Sequence, residues 1–156
     1  MREGIGGDFM TRMEKSIDIK APPEKVWEML ALDRWTEWLV GAAGAFLDLK
    51  DLKFTSEVNT PKDKYRVGAS AYPPAHPKAD FKVTESIENE KITYLHGGGS
   101  SMAYILKPTD GGTRLTYVLD TEFKSIQEKI LMKAFGRLGE RDVMRSLEKL
   151  KGILEK

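Results

Sequence analysis

The stretch that decides the fold is Lys15-Ser16-Ile17-Asp18-Ile19-Lys20-Ala21-Pro22-Pro23-Glu24-Lys25-Val26-Trp27. Ile17 and Ile19 alternate with polar residues, the period of a strand with one buried face. That strand must end near Ala21, because a residue before proline is driven towards extended geometry. Pro23 then suits the first turn of a helix, where its missing N–H costs nothing. Val26, Trp27 and Leu30 share one helical face, with Glu24, Lys25 and Glu28 turned away, which predicts a short packed helix. Asp33 stands where it can cap a second helix carrying Trp35, Trp38 and Leu39, with Gly41 as its stop.

Upstream, residues 1–12 contain Gly4, Gly6 and Gly7 with little apolar periodicity and read as a flexible lead-in, with Met10 and Met13 as alternative starts. Residues 13–156 read as a single domain. After a small-residue bend at Gly41–Gly44, the period changes to two from Ala45 to Phe123. Six strands are predicted, near Phe46–Val58, Tyr65–Tyr72, Ala79–Glu88, Lys91–His96, Met102–Lys107 and Thr113–Phe123. Asn59-Thr60-Pro61-Lys62-Asp63, Glu88-Asn89-Glu90 and Asp110-Gly111-Gly112 read as hairpin turns, the last because Asp-Gly tolerates positive φ. Tyr72-Pro73-Pro74-Ala75-His76-Pro77 lacks the donors a central strand needs and reads as a stiff loop.

From Ser125 to Lys156 the spacing is helical again. Leu131, Ala134, Phe135 and Leu138 form one stripe; Val143, Leu147, Leu150 and Ile153 or Leu154 form a second, rotated by roughly 120°. Gly136 and Gly139 sit at the change, so one long helix is expected, bent or locally broken there and movable in its first half.

Composition narrows the partners. Twenty-five basic against 24 acidic side chains give a formal charge of +1, so no global field draws the chain to nucleic acid. There is no cysteine, and only His76 and His96 are available as imidazole ligands, so neither a metal nor a cofactor is expected. No apolar run is long enough to span a bilayer, and a cytoplasmic protein without integral membrane association is expected. Asparagine and glutamine total three (Asn59, Asn89 and Gln127) while lysine and glutamate abound, a balance seen in proteins from hot environments.

The order strand, two short helices, six antiparallel strands and long helix is β-α-α-β6-α. With Ile17 to Trp27, Trp35, Trp38, Phe81-Lys82-Val83-Thr84-Glu85 and Gly111-Gly112-Thr113-Arg114-Leu115-Thr116, it resembles the START/SRPBCC superfamily, in its polyketide cyclase/dehydrase-like branch. The resemblance covers Met13 to Lys156. It implies an α+β helix-grip fold, a curved antiparallel seven-stranded sheet wrapped around a long C-terminal helix, with a cavity between them for an apolar or aromatic ligand. Lipid-transfer domains, aromatase/cyclases, ubiquinone-binding proteins, plant hormone receptors and chaperone activators share this fold, so it does not settle function.

If the apolar face of each strand looks inward, the inward set is Phe81, Val83, Ile92, Tyr94, His96, Met102, Tyr104, Leu106, Leu115, Tyr117 and Leu119. Tyrosines among aliphatics suit an apolar pocket with a few orienting polar groups; the same row also makes an ordinary filled core. The expected ligand contacts are Trp35, Trp38, Phe81, Val83, Tyr94, His96, Met102, Tyr104, Tyr117, Leu119, Leu131 and Phe135. For an enzyme, His96, Glu85 and Tyr104 are the acid/base candidates, and Glu85 inside a cavity would have its pKa raised by desolvation. Gly97-Gly98-Gly99-Ser100-Ser101 reads as a hairpin and a gate rather than a phosphate cradle, since it joins two strands and lacks a P-loop lysine. Lys129, Lys133, Arg137, Arg141, Arg145 and Lys149 repeat at i+4 as a basic row, which Glu140, Asp142 and Glu148 can offset by pairing with Arg137 and Arg145. The leading expectation is binding or transport of a small hydrophobic ligand such as a lipid, isoprenoid or polyketide-like molecule. The alternatives are a cyclase/dehydratase or hydrolase in the same cavity, and a chaperone-activator-like interaction module using the basic row.

Overall fold

Each turn signal in the sequence closes an antiparallel pair, and the result is one sheet gripping one helix. The structure, a computed structural model, describes residues 10–40, 52–55, 58, 60–74, 77–78, 80–97, 99–122 and 125–156, with side chains described except at 10, 11, 61, 122 and 128–139. The chain runs through β1 (Met10–Ile19), α1 (Pro23–Glu28), a 3-10 segment (Leu32–Glu37), β2 (Lys53–Phe54), a second 3-10 segment (Pro61–Tyr65) and β3 (Ser70–Tyr72). It continues through β4 (Phe81–Ile87), β5 (Lys91–His96), β6 (Ser100–Thr109), β7 (Gly112–Glu122) and α2 (Ile126–Leu154). The strands form a single curved sheet in the order β1-β7-β6-β5-β4-β3-β2, antiparallel throughout. The α+β helix-grip architecture is the one expected.

Several boundaries differ from the sequence reading. β1 starts at Met10, because Met10, Thr11 and Arg12 pair with Glu122, Thr121 and Asp120, and Arg12 Nε donates to Asp120 Oδ1 at 2.7 Å. The second helix is a 3-10 segment whose N-cap is Ala31, without a side-chain cap; Asp33 instead pairs with Lys64. The hairpin expected at residues 59–63 is a 3-10 turn, in which Thr60 N–H donates to Asp63 Oδ2 at 2.9 Å. Its extent shortens the next strand to Ser70–Tyr72. β2 comprises Lys53–Phe54, and residues 46–51 of that predicted strand, the bend at 41–44, Ala75 and His76 lie outside the described residues.

α2 runs as continuous helix through positions 136 and 139, so the helix is not broken there. The first apolar stripe and the ligand contacts expected at Leu131 and Phe135 lie outside the described side chains. The second stripe is in place. Leu147 and Leu150 are fully buried, and Val143, Met144, Ile153 and Leu154 pack against the same core. The end of β1 and the residues after the first 3-10 segment hold this half of the helix. Lys151 Nζ donates to the Asp18 carbonyl at 2.8 Å, Lys20 N–H donates to Glu155 Oε2 at 2.8 Å, and Val40 N–H donates to Ser146 Oγ at 3.0 Å.

Between β6 and β7 the chain turns through Asp110 and Gly111, the latter at φ 96°. The next residue, Gly112, passes so close to the end of β1 that an added Cβ would fall 2.1 Å from the Ile19 carbonyl oxygen. Beside it, buried Thr113 donates from Oγ1 to the Ala21 carbonyl at 2.7 Å. Because backbone atoms cannot yield as a side chain does, Gly112→Ala is expected to cost about 1–3 kcal/mol in chemical denaturation. Gly152, in α2 with open space around its Cα, is the contrast: Gly152→Ala is expected to gain about 0.5–1 kcal/mol through the lower entropy of the unfolded chain.

Candidate functional site

Helix α1 is only six residues long, and its end leaves buried carbonyls that need donors. The two tryptophans that follow supply them. Trp38 Nε1 donates to the Met29 carbonyl at 2.8 Å, and Trp35 Nε1 donates to the Leu30 carbonyl at 3.0 Å. Tyr94, reaching across from β5, donates its hydroxyl to the same Leu30 oxygen at 2.8 Å. Each indole thereby satisfies its polar atom and presents its ring to the sheet.

The rings interlock. Trp35 meets Phe81 and Tyr94 edge to face, both at 5.1 Å between centroids. Tyr104 lies 5.9 Å from Trp38 and 5.1 Å from Tyr117, its direct partner on β7. Such offset and edge contacts suit the ring quadrupoles and add about 0.5–1.5 kcal/mol each beyond area burial. Below this cluster Trp27 stacks on Tyr65 at 5.0 Å, and Tyr65 donates its hydroxyl to the Glu28 carbonyl at 3.0 Å, which closes α1 against the second 3-10 segment.

Register orders the inner face into rows. One runs Val83, Tyr94, Met102, Leu119 and Met13 across five strands; the next runs Ser86, Ile92, Tyr104, Tyr117 and Lys15. From β5 to β1, burial falls along each row. Phe81, Val83, Ile92 and Tyr94 are wholly buried, Met102 and Tyr117 retain 8% of their surface, and Leu119 and Met13 are half-buried. The end nearest Trp35 is therefore sealed core, and the end nearest β1 is a partly uncovered apolar wall. Burial pushes the Tyr94, Tyr104 and Tyr117 hydroxyls upward in pKa, so they stay neutral donors.

The expected site residues divide accordingly. Trp35, Trp38, Phe81, Val83 and Tyr94 come together as packed core. Tyr104, 3% exposed and in ring contact with Trp35, Trp38 and Tyr94, belongs to that core as well, while Met102, Tyr117 and Leu119 lie towards the less covered end. His96 is half-buried and stacks flat on Phe81, 4.2 Å between ring centroids. Glu85 is not in the cavity. A bulge between Val83 and Glu85 turns Thr84 and Glu85 outward together, and Ser86 takes the inward place opposite Ile92. The exposed Glu85 carboxylate lies 3.0 Å from Lys91 Nζ, whose hydrogen bond holds its pKa below the usual carboxylate value rather than above it.

The glycine loop offers no phosphate cradle among its described amides: Gly97 N–H donates to the Asp80 carbonyl at 2.9 Å and Gly99 N–H to the His96 carbonyl at 3.2 Å. Among the described residues, no three His, Asp or Glu side chains gather as a metal site. One inward residue was missed in the sequence. Lys15 ends the Tyr104–Tyr117 row, and the alternation of Met13, Lys15, Ile17 and Ile19 already placed it on the buried face.

Stability should depend on pH through the tyrosines. A hydroxyl whose folded pKa exceeds its unfolded value stabilises fully below the unfolded pKa and loses that contribution as pH rises. Tyr65, pushed up to about 12 chiefly by burial, and the three deeper tyrosines all act in this direction. Denaturation midpoints are expected to fall steadily as pH rises above about 10, the unfolded value. Absorbance at the phenolate band should show these tyrosines ionising only at or above Tyr65's range, or with unfolding.

Comparison with known proteins agrees with this geometry. The family described as polyketide cyclase / dehydrase and lipid transport matches residues 10–155. Among curated proteins none matches the chain. Among solved structures, the di-domain ARO/CYC StfQ from the steffimycin biosynthetic pathway is similar with a TM-score of 0.67 and 16% identity, over 99% of this chain and 54% of that one. The chain thus spans about half of that two-domain protein. The Aha1 dimer from Colwellia psychrerythraea is similar with a TM-score of 0.58 and 18% identity, over 93% of this chain and 96% of that one. Protein CV1439 from Chromobacterium violaceum gives 0.59 and 18%, over 94% of this chain and 99% of that one. At these identities the structures share the fold, and no described helix is long and apolar enough to cross a membrane. With the match running over nearly its whole length, the chain belongs to the polyketide cyclase / dehydrase and lipid transport family.

Proposed function

We propose that the chain is a cytoplasmic binding or transport protein for a small hydrophobic ligand, held between the open end of the inner wall and α2. The observation that carries this reading is the burial gradient: Tyr94 and Val83 are sealed, whereas Met102, Tyr117 and Leu119 on the same face keep accessible surface. An apolar wall with neutral tyrosine hydroxyls favours a lipid, isoprenoid or aromatic polyketide-like molecule, oriented by a few hydrogen bonds. Family membership supports a role of this kind, either ligand binding or cyclase-like. The carrier reading is preferred to a cyclase, dehydratase or hydrolase because Glu85, the one candidate carboxylate, faces solvent beside Lys91, and His96 is stacked on Phe81 at the sealed end.

Native mass spectrometry of the purified protein, before and after organic extraction, is expected to show an apolar adduct that extraction removes. The extracted protein should then take up pyrenebutanol, read as energy transfer from tryptophan to pyrene. Met102→Trp, which fills the open end of the wall, should weaken uptake by about tenfold, near 1.4 kcal/mol. Glu85→Gln should leave uptake unchanged. An empty protein that takes up no pyrenebutanol removes the proposal, and turnover abolished by Glu85→Gln would favour the enzyme instead.

A further inference from the structure

An open groove lies between β1 and α2, lined by Lys15, Glu140, Arg141, Met144, Arg145 and Glu148. Its position matters more than its depth. Lys15 belongs at once to this groove and to the inward row of the sheet, where it is the direct neighbour of Tyr117. Among the described residues it is the one lysine or arginine on the inward rows. The uncovered apolar wall and the charged groove therefore meet at a single side chain.

The charges in the groove are unequal in their commitments. Lys15 Nζ stands 3.8 Å from Glu140 Oε2, a loose pair with half-exposed partners. The pairing expected between Glu148 and Arg145 is not made. Among the described residues neither Arg141 nor Arg145 enters an ion pair, and both are exposed, one helical turn apart, beside the half-buried Met144. Two guanidiniums a turn apart without an ion pair, in a groove that Lys15 also lines from the strand, are donors suited to an anionic group of carboxylate or phosphate type.

We infer that the ligand is an amphipathic anion, its apolar body against Met102, Tyr117 and Leu119 and its anionic end in the groove at Lys15, Arg141 and Arg145. The inference rests on the hydrophobic-ligand reading above and adds to it the charge and the direction of the bound molecule. Lys15 is the junction: its stem continues the apolar row, and its ammonium, released from Glu140, turns to the incoming anion.

The test compares pyrenebutyric acid with pyrenebutanol, which share the aromatic body and differ in the charged end. Binding is followed by tryptophan-to-pyrene energy transfer on the full chain at low and high salt. The acid is expected to bind about tenfold more tightly than the alcohol at low salt, with the advantage shrinking as salt rises. The Arg141→Gln/Arg145→Gln double variant, both positions exposed, should remove most of that advantage and leave alcohol binding as it was. Lys15→Met, which keeps the apolar stem, should reduce it in part. Equal affinity for acid and alcohol, or an advantage untouched by these variants, overturns the anionic inference while the hydrophobic site stands. Uptake of neither probe removes both. Co-sedimentation with phosphatidylglycerol vesicles but not phosphatidylcholine vesicles, without discrimination between the two probes, would reassign the groove to a membrane surface and overturn the inference as well.

Discussion

The carbonyl oxygen of Leu30 is the constraint around which the rest is arranged. It is buried just past the end of a short helix and accepts two bonds, from the Trp35 indole and the Tyr94 hydroxyl. Left unpaired, such an oxygen costs about 1–3 kcal/mol, so the donors are required and not optional. One comes from the next helical segment and the other from the middle of the sheet. Satisfying one backbone atom thus fixes the distance between the α1 region and β5, and with it the placement of Phe81, Tyr104 and Trp38 around Trp35. The sealed half of the inner face follows from that fixing.

The fold was legible where local signals agree with the tertiary arrangement. Ile17, Ile19 and the two prolines specify strand, stop and helix without help from elsewhere, and Asp110-Gly111 specifies its own turn. The failures are of another kind. Asp33 has the chemistry of a cap, but a lysine 31 positions later claims it, a contact that no local pattern carries. Residues 59–63 look like a hairpin turn because proline and polar residues cluster there, yet the segment runs on as a 3-10 helix to Tyr65, which stacks on Trp27. Counting in twos from Phe81 sets Glu85 in register with Val83, and a bulge is the one event that makes such counting fail.

The same distinction separates what was readable about the site. The inward tyrosines follow from alternation alone. Which of them are wholly sealed and which keep a little surface depends on the indoles packed above them, and those are placed by hydrogen bonds to the Met29 and Leu30 carbonyls rather than by any periodicity. A family defined by this scaffold admits both carriers and cyclases, so the chemistry has to be argued from the uncovered half of the wall, from Tyr117 towards Lys15.

The bulge in β4 carries a last consequence. Its strand faces a choice between two alignments. In the observed one Ser86 faces inward and Ile87 is left 45% exposed; slipping the irregularity past Ile87 would turn that side chain inward and gain at most about 1 kcal/mol of apolar transfer. The slip would also carry Glu85 inside, stripping a carboxylate of both water and Lys91, which costs more than the isoleucine returns. The charge on Glu85, more than the strength of its surface ion pair, therefore favours the frame that keeps a carboxylate off the wall.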